Sequence, residues 1–138
     1  KNAPDRNAKF HDYCNVINSA GHCKFQEFCG YTLTDLTKTL NAACGLGWDL
    51  DDLRKCGERI TTLQKILNIR YGWKKEHDFQ YPKRFMEPVN EGPAAGKVPI
   101  GLDQAILDYY KVREWDANGK PTPGLLERLG MEEYEENM

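Results

Sequence analysis

The chain contains no C-x-x-C pair. That removes the tight knuckle of a structural zinc ribbon and the closely spaced thiolates of a self-contained ferredoxin-type cluster site. Its five cysteines, Cys14, Cys23, Cys29, Cys44 and Cys56, are odd in number and too sparse for a disulfide-stapled secreted scaffold. A reducing, cytoplasmic setting is therefore expected. No stretch approaches the roughly 18 apolar residues of a membrane span, so no membrane partner is expected. A basic excess is missing too. The net charge of −2 speaks against a nucleic-acid partner, because neutralising phosphates needs clear positive charge. There is no signal-peptide pattern and no internal repeat. The first residue is Lys1 rather than Met, so the expectation is either that something was removed before it or that the chain is a piece of a longer protein.

What is present is one domain's worth of chain, 1–138, with 29% charged and 40% hydrophobic residues. Phe10, Tyr13, Cys14 and Ile17 recur at helical spacing and predict a helix over Arg6–Ala20, stopped by Gly21. A short turn carrying Phe25 and Phe28 ends at Gly30. Thr32 or Thr34 can cap a helix reaching Cys44, with Asp35 in its first turn and Gly45 closing it. The strongest helix spans Asp49–Tyr71. Asp49 is a natural cap with Asp52 three residues on, and Leu53, Cys56, Ile60, Leu63, Leu67 and Tyr71 form its apolar face. Gly57 inside that helix costs about 1 kcal/mol relative to alanine, which predicts another backbone packed against it.

From Trp73 to Gly101 the chain carries four prolines and no sustained period. It reads as a long Pro/Gly-rich packed connection, with Phe79, Tyr81, Phe85 and Val98 to bury. A helix over Asp103–Glu114, capped by Asp103, follows. Asn118-Gly119 marks a turn, and Thr122 with Pro123 begins a last short helix. The acidic residues 132–138 read as a flexible tail. The expected fold class is all-α, an irregular multi-helix domain.

The stretches "NSAGHCKF", "GERITTLQKILNIRYG", "YPKRFMEP", "EGPAAGKV" and "LDQAILDYYKVREWDANGKPTPGLLERLG" together resemble, in order and spacing, the C-terminal domain of the tungsten-pterin aldehyde ferredoxin oxidoreductases. The resemblance covers nearly the whole chain. It implies that Cys23, ending a D-x-x-G-L-C motif, is the last of four thiolates on a 4Fe-4S cluster, and that Asn18, Gly21 and His22 belong to a loop facing a pterin. The cofactors implied are a tungsten or molybdenum bis-pterin and the cluster. The partners implied are the N-terminal domains of the same enzyme and ferredoxin, and the activity is oxidation of aldehydes to carboxylic acids. The isolated piece is expected to be inactive and to hold no cofactor alone, with no catalytic residue of its own. Four departures stand out: Asn18 for Asp, His22 for Leu, Tyr71 for Glu and Glu114 for Gly.

Blander readings accompany each residue. A lone cysteine beside phenylalanines is most often a small buried hydrophobe, and that reading is kept for Cys14, Cys29, Cys44 and Cys56. His11, Cys14, Cys23 and Cys29 are four possible zinc ligands within nineteen residues, which leaves a small zinc-binding domain as an alternative. A stand-alone helical interaction module is another. His22 is expected at the surface, His77 has no identifiable partner, and Glu58-Arg59 are expected to bond a neighbouring loop. Cys23 itself is expected at or near the surface, since a ligand for a cluster completed elsewhere must point out of its own domain.

Overall fold

Side-chain caps set the starts of three of the helices. In the computed structural model, which describes residues 3–137, α1 runs Ala3–Ser19, α2 Leu33–Cys44 and α3 Leu50–Arg70. A single turn, α4 (Lys75–Asp78), precedes the long connection; α5 (Leu102–Val112) and α6 (Pro123–Leu129) follow it. Three 3-10 turns occupy Lys24–Cys29, Lys83–Phe85 and Glu132–Asn137, and there is no strand among the described residues. The chain is all-α, as its periodicities predict. Thr32 with Asp35 and Asp49 with Asp52 form reciprocal capping boxes, each satisfying two otherwise unpaired amides. Thr122 caps α6 by accepting from the Leu125 amide, with Pro123 at the first position. Asp103 does not cap α5. Gly101 precedes that helix, and the Asp103 carboxylate instead accepts from the Tyr81 hydroxyl at 2.7 Å, tethering the connection.

Two apolar clusters form the core. One joins Val16 and Ile17 of α1 to Leu36 of α2 and Leu53 of α3. The other joins Ile66 of α3 to Leu125, Leu126, Leu129 and Met131. Between them, α1 lies directly on α3. A Cβ at Gly57 would stand 2.7 Å from the Asp12 carbonyl oxygen and 2.9 Å from a Val16 methyl, so the glycine is where the two backbones meet. The seam around it is polar. Asn15 donates to Thr61 at 2.9 Å and to Gln64 at 3.1 Å, and Thr61 donates to Asp12 at 2.6 Å. Arg113, 3% exposed, reaches in from the end of α5, donating to both Asp12 oxygens at 2.7 and 2.8 Å and to the Ala8 carbonyl at 2.8 Å. A buried guanidinium is tolerable only with its donors satisfied in this way. Glu58-Arg59 bond a neighbouring element, but it is helix α6 rather than a loop: Arg59 donates to the Leu129 carbonyl, and Glu58 pairs with both guanidinium nitrogens of Arg128.

Several expectations require correction. The buried residues of α1 are Ala8, Asn15, Val16 and Ile17, while Phe10 is exposed; the face toward α3 combines the hydrogen bonds of Asp12 and Asn15 with apolar contact through Val16 and Ile17. On α3, Leu67 and Tyr71 lie outside the core, and Thr61, Thr62 and Lys65 lie inside it. The connection packs only at its start. Phe79 and Tyr81 are half-buried, whereas Phe85 and Val98 are exposed along with all of 82–101. Cys29 and Cys44 are exposed and Cys14 and Cys56 half-buried, so none is fully enclosed core filler. In the acidic end, Glu132–Asn137 wind as a 3-10 turn with Tyr134 against the second cluster; position 138 lies outside the described residues. No helix among the described residues is long and apolar enough to cross a membrane.

Candidate functional site: the Cys23 loop

The end of α1 is a Schellman turn, and it determines where Cys23 stands. The Gly21 amide donates to the Asn18 carbonyl at 3.2 Å and the His22 amide to the Ile17 carbonyl at 3.0 Å. Gly21 occupies the left-handed region at φ 66°, where a side chain would be strained. The chain then straightens at Cys23 (φ −75°, ψ 117°) and re-enters the 3-10 turn Lys24–Cys29, whose Gln26 amide donates to the Cys23 carbonyl at 3.0 Å. Cys23 is thus pinned between two hydrogen-bonded turns, and its thiol is exposed as the reading of it as an outward ligand requires.

The four residues singled out in the sequence divide by side. Asn18, Gly21 and Cys23 are exposed; His22 is turned partly inward. Its ring stacks on Tyr31 with centroids 4.5 Å apart and planes at 27°. Its Nε2 is buried without a partner. The expectation of a surface histidine is corrected: the residue after a Schellman glycine packs back on the helix it terminates, and Ile17 and Leu36 line the same crevice.

Four further side chains surround the loop, none of them given a role from the sequence. Lys24 donates to the Cys14 thiol at 3.0 Å and sits 4.4 Å over the Phe10 ring, bringing a positive charge next to the Cys23 turn. Glu27 turns inward toward Tyr13; burial, followed by that carboxylate, holds the Tyr13 phenol well above its usual pKa. Phe25 and Phe28 pair at 6.0 Å, yet are 75% and 86% exposed. The sequence signal for these was the short turn carrying Phe25 and Phe28 and ending at Gly30.

The zinc alternative has no geometry behind it. Among the described residues, no three His, Cys, Asp or Glu side chains are arranged to hold a metal ion. His11 Nδ1 instead meets the Tyr109 hydroxyl at 3.1 Å and Cys14 takes the Lys24 ammonium. His77, given no partner above, accepts from the Lys74 amide at 3.2 Å. An exposed cysteine between hydrogen-bonded turns is a chemically apt donor to an iron-sulfur cluster; Cys29 and Cys44 are exposed as well, but among the described residues no three potential ligands converge.

This helical domain falls within a known oxidoreductase class. The family model described as aldehyde ferredoxin oxidoreductase, domains 2 and 3, matches residues 2–131, and the chain belongs to that family. Among its relatives is the tungsten-containing aldehyde ferredoxin oxidoreductase of Pyrococcus furiosus, 40% identical over 128 residues, covering 91% of this chain and 20% of that protein. The enzyme of the same name from Pyrococcus horikoshii is 39% identical over 126 residues with the same coverage. The aliphatic sulfonate oxidoreductase, WOR-like subunit, of Pyrococcus furiosus is 33% identical over 126 residues, covering 87% of this chain and 19% of that protein. The chain spans about a fifth of the length of these relatives.

Proposed function

We propose that this chain is the C-terminal part of a cytoplasmic tungsten-pterin enzyme that oxidises aldehydes to carboxylic acids. The two electrons released pass through a 4Fe-4S cluster to ferredoxin. Tungsten or molybdenum on the pterin supplies the redox chemistry when bound. The role of this chain is to hold and orient. Cys23 supplies one cluster thiolate, while Asn18 and the Gly21 turn present polar groups to the pterin side. The remaining ligands and the acid-base groups come from the N-terminal domains.

The observation that carries this reading is the exposed Cys23, held between two hydrogen-bonded turns, on a chain that belongs to the aldehyde ferredoxin oxidoreductase family. Exposure of Phe25, Phe28, Tyr71 (88%) and Ile100 (91%) supports it, since so many open apolar side chains suit a domain covered by others. The test is anaerobic purification of the complete enzyme carrying this chain. Tungsten or molybdenum with about four irons per cluster, and aldehyde-dependent reduction of ferredoxin, are expected. A metal-free protein without aldehyde-linked reduction would overturn the reading.

A further inference from the structure

His22 occupies the leucine position of the motif that this loop resembles, and its polar ring is set in an apolar place. His22 Nε2 and Glu27 Oε1 are both buried and both without a hydrogen-bond partner. They line one narrow crevice, together with Tyr13, Ile17, Tyr31 and Leu36, that has no room for a water molecule. Water therefore satisfies neither atom. The Tyr31 hydroxyl is taken by Thr39 at 2.6 Å, and the His22 ring is fixed by its stack on Tyr31. Two buried orphans in one dry crevice are an unfavourable arrangement unless they meet. They are complementary: an imidazole with its proton on Nε2 donates, and a carboxylate oxygen accepts. Glu27 has a second oxygen for the neighbouring Tyr13 phenol.

We propose that His22 Nε2–H donates to Glu27 Oε1 across this crevice, through a rotation of the Glu27 side chain, and that the bond braces the backbone on both sides of Cys23. His22 precedes the cysteine on the Schellman turn, and Glu27 follows it on the 3-10 turn that the Cys23 carbonyl opens. Tying the two together fixes the turn before Cys23 against the turn after it. His22 is then a positioning residue, acting on the cluster through the placement of its ligand. The bond itself stands on the crevice alone; its consequence for iron rests on the function proposed above.

The test is a double-mutant cycle in the complete enzyme carrying this chain. His22→Leu and Glu27→Leu are each expected to speed hydrogen exchange at the Gln26 and Tyr31 amides about fivefold. The double variant should be no faster than either single one, and His22→Gln, which keeps a donor near the Nε2 position, should stay within about twofold of wild type. Release of iron to a chelator should follow the same order. Unchanged exchange in His22→Leu, or effects of the two single changes that simply add, would overturn the brace. If His22→Leu fails to fold, Glu27→Leu against His22→Gln gives the same decision. Should Cys23→Ser leave iron and cluster signals untouched, the cluster assignment fails while the exchange measurements still decide the bond.

Discussion

Replacing Gly57 by alanine sets two effects of known sign against each other. In a free helix the change is favourable by about 1 kcal/mol, because alanine loses less backbone entropy. Here the new Cβ would lie 2.7 Å from the Asp12 carbonyl oxygen and 2.9 Å from a Val16 methyl. The first obstacle is main chain and cannot rotate away. Moving α1 outward would also strain the Asp12 carboxylate, which holds Arg113 and accepts from Thr61. Overpacking of this kind costs about 1–3 kcal/mol, and disturbing a buried ion pair adds to it. The net expectation is destabilisation by about 1–3 kcal/mol, read as a lower urea midpoint with an unchanged slope. Gly124→Ala is the control, since nothing lies within 4 Å of its added Cβ and its φ is ordinary. It should be neutral or stabilising by a few tenths, up to about 1 kcal/mol. A Gly57→Ala variant as stable as the control would refute the backbone contact between α1 and α3.

Other expectations follow from charges placed in unusual settings. Lys65 is buried against Trp73 and Trp115 beside Asp78, and burial lowers its pKa from 10.5 to about 8, against the pull of Asp78. Between those values the unfolded chain binds the proton that the folded chain has lost, so stability should rise with pH from about 8 toward 10, by at most about 3 kcal/mol. Above 10 the gain should reverse, because the Tyr13 and Tyr110 phenols are held neutral by burial and by Glu27 and Asp78 respectively. Denaturant titrations at fixed pH values check this, and Lys65→Met should flatten the rise. Glu114 stands at φ 53°, a left-handed position, with its carboxylate on Arg128. Glu114→Gly should relieve roughly 1 kcal/mol of backbone strain while losing a half-exposed ion pair of about 0–1 kcal/mol. The melting temperature should hold or rise; a fall of many degrees would show the ion pair to dominate.

Local chemistry was legible in the sequence wherever a short-range rule decides. The capping boxes at Thr32 and Asp49, the glycine stops at Gly21 and Gly45, and the close approach at Gly57 were all readable from residue type and spacing. The α1–α3 seam was not, because apolar periodicity has no term for Asp12, Asn15 and Thr61 satisfying one another inside an interface. Lys65 escaped for the same reason, since its cage joins Trp73, just past the end of its own helix, to Tyr110 and Trp115, which are distant in sequence. Aromatic content suggested that the connection would pack on this chain, yet Phe85 and Val98 are open. At the site, the position of Cys23 on a glycine turn was readable. The inward ring of His22 and its pairing with the crevice of Glu27 needed the third dimension.

The central claim is that Cys23 is a cluster ligand, and electron paramagnetic resonance of the reduced Cys23→Ser enzyme, with iron content, tests it most directly. A serine oxygen is a harder, poorer donor to cluster iron than a thiolate, and the packing change at an exposed position is small. The account predicts a shifted or lost cluster spectrum, less iron and slower ferredoxin reduction, with the thermal midpoint of the protein little changed. A normal spectrum with full iron content would contradict it and return Cys23 to an ordinary surface thiol.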